Sequence, residues 1–319
     1  MPDRGGAVGH QSRGGEDFIA RLPRQYTSPS GATPAEALPN MPHVEEPKKI
    51  GAWNTRDLPL RISADALSAA SAGFLVAPII TIIDRGIIEN AAGKRTLGAS
   101  VRSSLKTLLL RPHSFFFSRP FALIFTLYSG TYMSANTIDT ASSTLRNRPS
   151  SETTHGTAKF AATSAANLSL CLWKDSHFTK LFSPVPPRPV PKTTFLLFAM
   201  RDSLTIAASF NIPPILAPYI PRQALPTIMQ GIRSESYAQF IAPAAVQVFS
   251  TPLHLLGLDF YNRNGNTTLA ERWSMVRRAW AISTLARLCR IIPAFGVGGV
   301  VNAGVRRNCM QKIEQLEEA

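Results

Sequence analysis

The stretch PIITIIDR, Pro78 to Arg85, closes an apolar run that opens near Ser63 and hands it over to a basic loop. A related stretch, TPLHLLGLD, runs from Thr251 to Asp259, and a weaker one around Asn167 leads to Lys174 and Asp175. Working outward from these three, six apolar segments appear, at approximately 63–83, 115–135, 157–173, 194–217, 237–258 and 279–303. Most reach the ~20 residues needed to cross a hydrocarbon core as helix. The segments at 115–135 and 279–303 are apolar on every face, where a surface helix of a soluble domain shows a polar stripe. Ser63 and Asp65 form a candidate N-cap pair for the first segment, and the third, small-residue-rich with Lys159 near its start, is the weakest.

The basic residues between these segments fall on one side. Loops after the odd segments hold fourteen: Arg85, Lys94, Arg95, Arg102, Lys106, Arg111, Lys174, Lys180, Arg188, Lys192, Arg263, Arg272, Arg277 and Arg278. Loops after the second and fourth hold four: Arg146, Arg148, Arg222 and Arg233. Such a skew is what the positive-inside rule describes. The chain is 45% hydrophobic and 17% charged with a net charge of +14, less charged than the quarter usual in soluble domains. Its basic residues lack aromatic interleaving and a folded basic face, which argues against a nucleic-acid partner. Cys171, Cys289 and Cys309 form no CxxC pair and have no His at metal spacing, so no metal site and no cofactor are expected. Residues 1–55, polar and broken by Gly and Pro, read as a disordered arm. They show neither a secretory signal nor an acid-poor presequence, since Asp3, Glu16 and Asp17 interrupt them. A short charged tail is expected over 311–319, leaving 56–310 as the membrane domain.

A loose repeat of about 90 residues emerges, in which an odd segment, a basic loop and an even segment recur three times. Each even segment brings an arginine: Arg119 before Pro120, Arg201 before Asp202, and Arg290 three residues before Pro293. Internal repeats are common in transport folds. Ionisable residues inside apolar spans are costly and point to function. Arg201, Asp202, Arg287 and Arg290 are therefore the candidate ligand-binding residues, their guanidinium groups suited to a small anionic metabolite. Neighbouring helix positions point about 100° apart, so Arg201 and Asp202 are expected to have different partners. Pro78, Asp84, Pro252 and Asp259 are the helix-kink and gate candidates. His254 and Asp259 form an H-x-x-x-x-D string, a loose echo of a general base. Gly296, Gly298 and Gly299 lie inside an apolar span with no preceding strand, which suits close helix packing rather than a phosphate loop.

The three-pair plan, the prolines of the odd segments and the Arg290–x–x–Pro293 element resemble the mitochondrial carrier family. The segments KDSHF (Lys174 to Phe178), RDSLT (Arg201 to Thr205) and SFNIPP (Ser209 to Pro214) resemble a fungal family of mitochondrial multi-pass membrane proteins known as sequence orphans. That likeness covers about residues 56–310. Carrier odd helices end in Pro–x–acid–x–x–base, whereas here Pro78 is followed at that spacing by Ile80 and Ile83, and Pro252 by His254 and Gly257. The resemblance implies an all-α membrane fold of six transmembrane helices in three pseudo-repeated pairs, in the mitochondrial inner membrane with the basic loops facing the matrix. It implies a divergent carrier-like transporter, not an enzyme, with the lipid bilayer as its surroundings. A non-transporting structural or assembly factor is the alternative, favoured by the missing gate motifs.

Overall fold

The computed structural model describes residues 53–154, 156–210, 234–263 and 267–318, with three single positions between 210 and 234. The expected arm up to residue 52, and Pro213, Pro214, Arg222 and Arg233, lie outside the described residues. All described residues belong to one compact unit. They form helices α1 (Leu58–Ala91), α2 (Leu97–Leu110), α3 (Pro112–Phe116), α4 (Arg119–Leu145) and α5 (Thr157–Phe182). Then come α6 (Lys192–Phe210), α7 (Ser234–Asn262), α8 (Leu269–Ile291), a π turn (Ile292–Val297) and α9 (Gly298–Glu318). No strand occurs among the described residues.

The described part of each expected span is largely helical, but the bounds move, and most of the fourth span beyond Phe210 lies outside the described residues. α1 starts at Leu58 behind Asp57, with a proline in its first turn. Ser63 and Asp65 are thus inside the helix rather than at its cap: Ser63 Oγ donates to the Pro59 carbonyl, and Asp65 is fully buried. α5 continues nine residues past the expected end at 173 and carries Lys174 and Asp175 into the interior. The expected sixth span straddles the π turn. Pro293 has no N–H to give to the preceding turn, and the helix widens there instead of ending. Tyr132 Oη, on α4, donates to the Ala294 carbonyl at 2.8 Å and satisfies a backbone group of that turn. The tail expected over 311–319 is, through Glu318, the end of α9, where Met310 and Ile313 pack against Ala64. Pro78 lies within α1, and Pro243 and Pro252 within α7.

Among the described residues two helices are long and apolar enough to cross a membrane, α1 and the Ile241–Asn262 part of α7. The packing order is cyclic. α1 packs on α4, α4 on α5, α5 on α6, α6 on α7, α7 on α8, and α8 and α9 return to α1. Outward faces are apolar: Leu67, Phe74 and Ile79 on α1, Leu196 and Met200 on α6, Phe249 on α7, and Ile282 and Leu285 on α8 are exposed. Inside lie Arg61, Asp65, Asp84, Lys174, Asp175, Arg201, Arg287 and Arg306. Charges buried within an apolar core, under an apolar exterior, depart from the arrangement of a water-soluble domain and suit an apolar surrounding.

Small residues let the helices approach. A Cβ on Gly257 of α7 would lie 2.7 Å from Cε1 of the buried Phe198 of α6. One on Gly298 would collide with Tyr132 Oη, so the expected role of Gly298 in close packing holds. Gly299 has nothing nearby. Replacing Gly257 by Ala forces Phe198 aside, and overpacking of this kind costs about 1–3 kcal/mol. Thermal unfolding of detergent-solubilised G257A is expected several degrees below the parent, while Gly299→Ala melts with it.

Candidate functional site

At the level of Asp84 four helices contribute to one largely buried chain of ion pairs. From α8, Arg290 Nη1 donates to Asp84 Oδ1 of α1 at 2.6 Å. From α5, Lys174 Nζ donates to Asp84 Oδ2 at 2.9 Å and lies 2.5 Å from Asp175 Oδ1. Asp175 Oδ2 accepts from Arg201 Nη2 of α6 at 2.6 Å. Arg201 then grips Asp202 through Nε at 2.8 Å and Nη2 at 2.5 Å. The sign alternates from Arg290 to Asp202, three bases and three acids.

His254 of α7 joins the end of this ladder. Its Nδ1 lies 2.7 Å from Arg201 Nη1. A guanidinium can only donate, so Nδ1 accepts and the proton of the neutral ring sits on Nε2. Phe178 and Phe198, both fully buried, form walls, with Lys174 Nζ 5.2 Å from the first ring and the Arg201 guanidinium carbon 5.3 Å from the second. They keep water from the charges while their ring faces favour the cations.

Arg287 stands apart. Buried on α8, one turn before Arg290, it donates from Nε to Gln247 Oε1 of α7 at 2.8 Å, and Ser250 Oγ donates to the same oxygen. No carboxylate pairs with Arg287 among the described residues. Among the described residues its hydrogen bond goes to a neutral amide, with Asp202 and Asp84 near but not in contact. Such a guanidinium is an unusual expense for a fold, and its other nitrogens can meet a ligand acid bidentately.

The sequence-derived candidates thus separate. Arg201, Asp202, Arg290 and Asp84 belong to one network, with Arg287 beside it. The expectation that Arg201 and Asp202 have different partners is wrong: the long guanidinium folds back onto the neighbouring carboxylate, while its other edge reaches Asp175 and His254. Pro78 lies six residues before Asp84 on α1. Pro252 lies two residues before His254, but Asp259 pairs elsewhere, accepting from Arg272 Nη1 at 2.6 Å and lying 2.8 Å from Arg263 Nε. His254 and Asp259 therefore serve different partners and form no dyad. Lys174 and Asp175 were missed as site residues. Counted as loop residues, they sit at the centre of the ladder, and the signal for them was an adjacent base and acid directly after an apolar segment. Lys174 and Arg272, both buried and paired, also leave the tally of loop charges, which still favours the odd side.

A second polar cluster lies toward the start of α1, 19 residues before Asp84, or about 28 Å at 1.5 Å per residue. Asp65 accepts from Arg306 Nε of α9 at 2.7 Å and from Thr140 Oγ1 of α4 at 2.5 Å. Asn136 and Asn302 exchange amide hydrogen bonds of 2.9 Å in both directions. Nothing in the one-dimensional pattern joined α9 to this cluster.

The family model described as a probable citrulline exporter matches residues 68–310. The chain belongs to this probable citrulline exporter family. The matched region runs from Ser68 of α1 to Met310 of α9, so it contains the whole ladder and most of the second cluster. No curated protein matches the chain. The family is one of membrane-transporter type and points away from catalysis; the likeness to mitochondrial carriers and to the fungal orphan family draws no support from it.

Removing one member of a buried ion pair leaves its partner uncompensated, at about 3–5 kcal/mol. Asp175→Asn leaves Lys174 to Asp84 and Arg201 to Asp202, with one positive charge of the ladder unmatched, and should lower the melting temperature by several degrees. Asp84→Asn combined with Lys174→Met should cost less than the sum of the two single changes, which a double-mutant melting cycle measures.

Proposed function

We propose that this protein is a six-span transporter of a small amino-acid-type metabolite, its helices in three pairs, set in the mitochondrial inner membrane with the basic loops toward the matrix. Support for the architecture comes from the cyclic packing order, the apolar exterior and the family membership; support for the orientation comes from the loop charges alone. The observation that carries the substrate class is Arg287. The ladder from Arg290 to Asp202 is balanced in charge, so the site as a whole has one cation to spare. A single carboxylate matches it, whereas a multiply charged anion does not.

The family's name supplies a concrete candidate. Citrulline is a zwitterion whose side chain ends in a neutral ureido group. Its carboxylate suits Arg287, its ammonium suits the outermost acid, Asp202, and its ureido group suits neutral donors and acceptors such as Gln247 and His254. Reaching those groups requires the ladder to exchange one of its internal partners for the ligand, which links binding to helix movement. The alternative of a structural or assembly factor is supported by the closure of the ladder, whose acids are all matched internally.

Exchange of labelled citrulline in liposomes separates the two readings. Arg287→Ala should lower exchange by about 10- to 100-fold, the range expected for losing a hydrogen bond to a charged group, while melting little below the parent because no acid is stranded. Arg287→Lys should recover part of the loss. Absence of exchange with citrulline and with related zwitterionic amino acids would leave the structural role standing.

A further inference from the structure

A groove of about 380 Å³ lies on the outer surface between α4 and α5, away from the buried ladder. Its floor and walls are largely apolar, with Leu123, Leu181 and Trp173 among them, and its rim carries Arg119, His177 and Lys180. Arg119 opens α4, and Lys180 lies near the end of α5, so both cations stand at the end of the bundle where the basic loops gather. Neither has an acidic partner among the described residues. His177 donates from Nδ1 to the Trp173 carbonyl at 2.9 Å and its ring stands 5.1 Å from the indole. Its second ring nitrogen is left for a ligand.

The neighbouring surface has the same chemistry. On α2 the side chains of Leu105, Leu109 and Leu110 are exposed beside Arg102, Lys106 and Arg111, and Phe117 just before α4 is 90% exposed. A short helix with apolar and basic groups side by side is at home in the plane of a membrane interface. This sets the groove at headgroup level, its apolar wall pointing toward the acyl chains and its cations toward the phosphates. Basic pockets between helices on the positively charged side of a membrane protein are suited to anionic headgroups.

We propose that this groove binds an anionic phospholipid, with its phosphodiester between Arg119 and Lys180 and an acyl chain along Leu123, Leu181 and Trp173. The pairing follows from charge complementarity: two unpartnered cations above an apolar trough match a ligand with one anionic end and one hydrocarbon end. Only the embedding of the protein in a bilayer is required, not its transport of any solute.

Native mass spectrometry of the full chain in detergent, titrated with phosphatidylglycerol or phosphatidylcholine of the same acyl chains, tests the site. Phosphatidylglycerol should be retained and phosphatidylcholine lost. With about 5-fold in affinity from each basic group near a membrane surface, R119Q/K180Q should bind phosphatidylglycerol roughly 25-fold more weakly. R102Q/K106Q, which removes the same charge from α2, should bind as the parent does. Equal retention of phosphatidylcholine, parent-like binding by R119Q/K180Q, or an equal loss in R102Q/K106Q would overturn the proposal, the last by assigning the effect to diffuse surface charge. Displacement of the lipid by millimolar inorganic phosphate would overturn it too, in favour of a site for free anions. Melting curves without lipid check that the variants fold; should the double variant fail, R119Q alone carries the comparison.

Discussion

Asp175, held between Lys174 and Arg201, is the contact on which the rest of the interior depends. A carboxylate, an ammonium and a guanidinium removed from water cost several kcal/mol each unless they compensate one another. Asp175 compensates both cations at once, and each passes the requirement on, Lys174 to Asp84 and Arg201 to Asp202 and His254. Asp84 in turn needs Arg290. The relative positions of α1, α5, α6 and α8 at this level follow from the demand that each charge of the ladder meet its opposite, with α7 adding the neutral His254 and Arg287 lying outside that balance. Dispersion and helix packing hold the remainder, but they do not specify which residues face one another as narrowly as alternating charge does.

How much of this could be read from the one-dimensional chain varied with the local chemistry. The helices were legible because long uncharged stretches have few other options, and Arg201, Asp202 and Arg290 were legible because charges inside such stretches are rare. Lys174 and Asp175 were not, since they stand after the weakest apolar segment and look like the start of a loop until α5 is seen to continue. The unusual situation of Arg287 was also hidden: its isolation depends on what α7 offers opposite it, a glutamine rather than an acid. In α9 the spacing of Arg306, Met310 and Ile313, four and three residues apart, is that of a packed helix face, yet the nearby glutamates gave the segment the look of a solvated tail. Its partner Asp65 is more than 240 positions away, beyond the reach of any local pattern.

The two polar clusters divide the interior. Between Asp65 and Asp84 the buried face of α1 is made of Ser68, Ala69, Ala72, Gly73, Val76, Ala77, Ile80, Thr81 and Ile82, small or apolar throughout. The separation of about 28 Å is close to the ~30 Å thickness of a hydrocarbon core. Two clusters of charged contacts are thus separated by a stretch of small and apolar packing of about that length.

The π turn at Ile292–Val297 decides whether both clusters can exist at once. Arg290 and Arg306 both serve acids of α1, yet sixteen residues of regular helix would rotate one about 160° from the other, onto nearly opposite sides of the rod. A π turn absorbs about one extra residue, which takes back roughly 100° of that rotation. The bulge at Pro293 therefore acts as a phase correction: it turns α9 so that Arg306 meets Asp65 while Arg290 keeps Asp84.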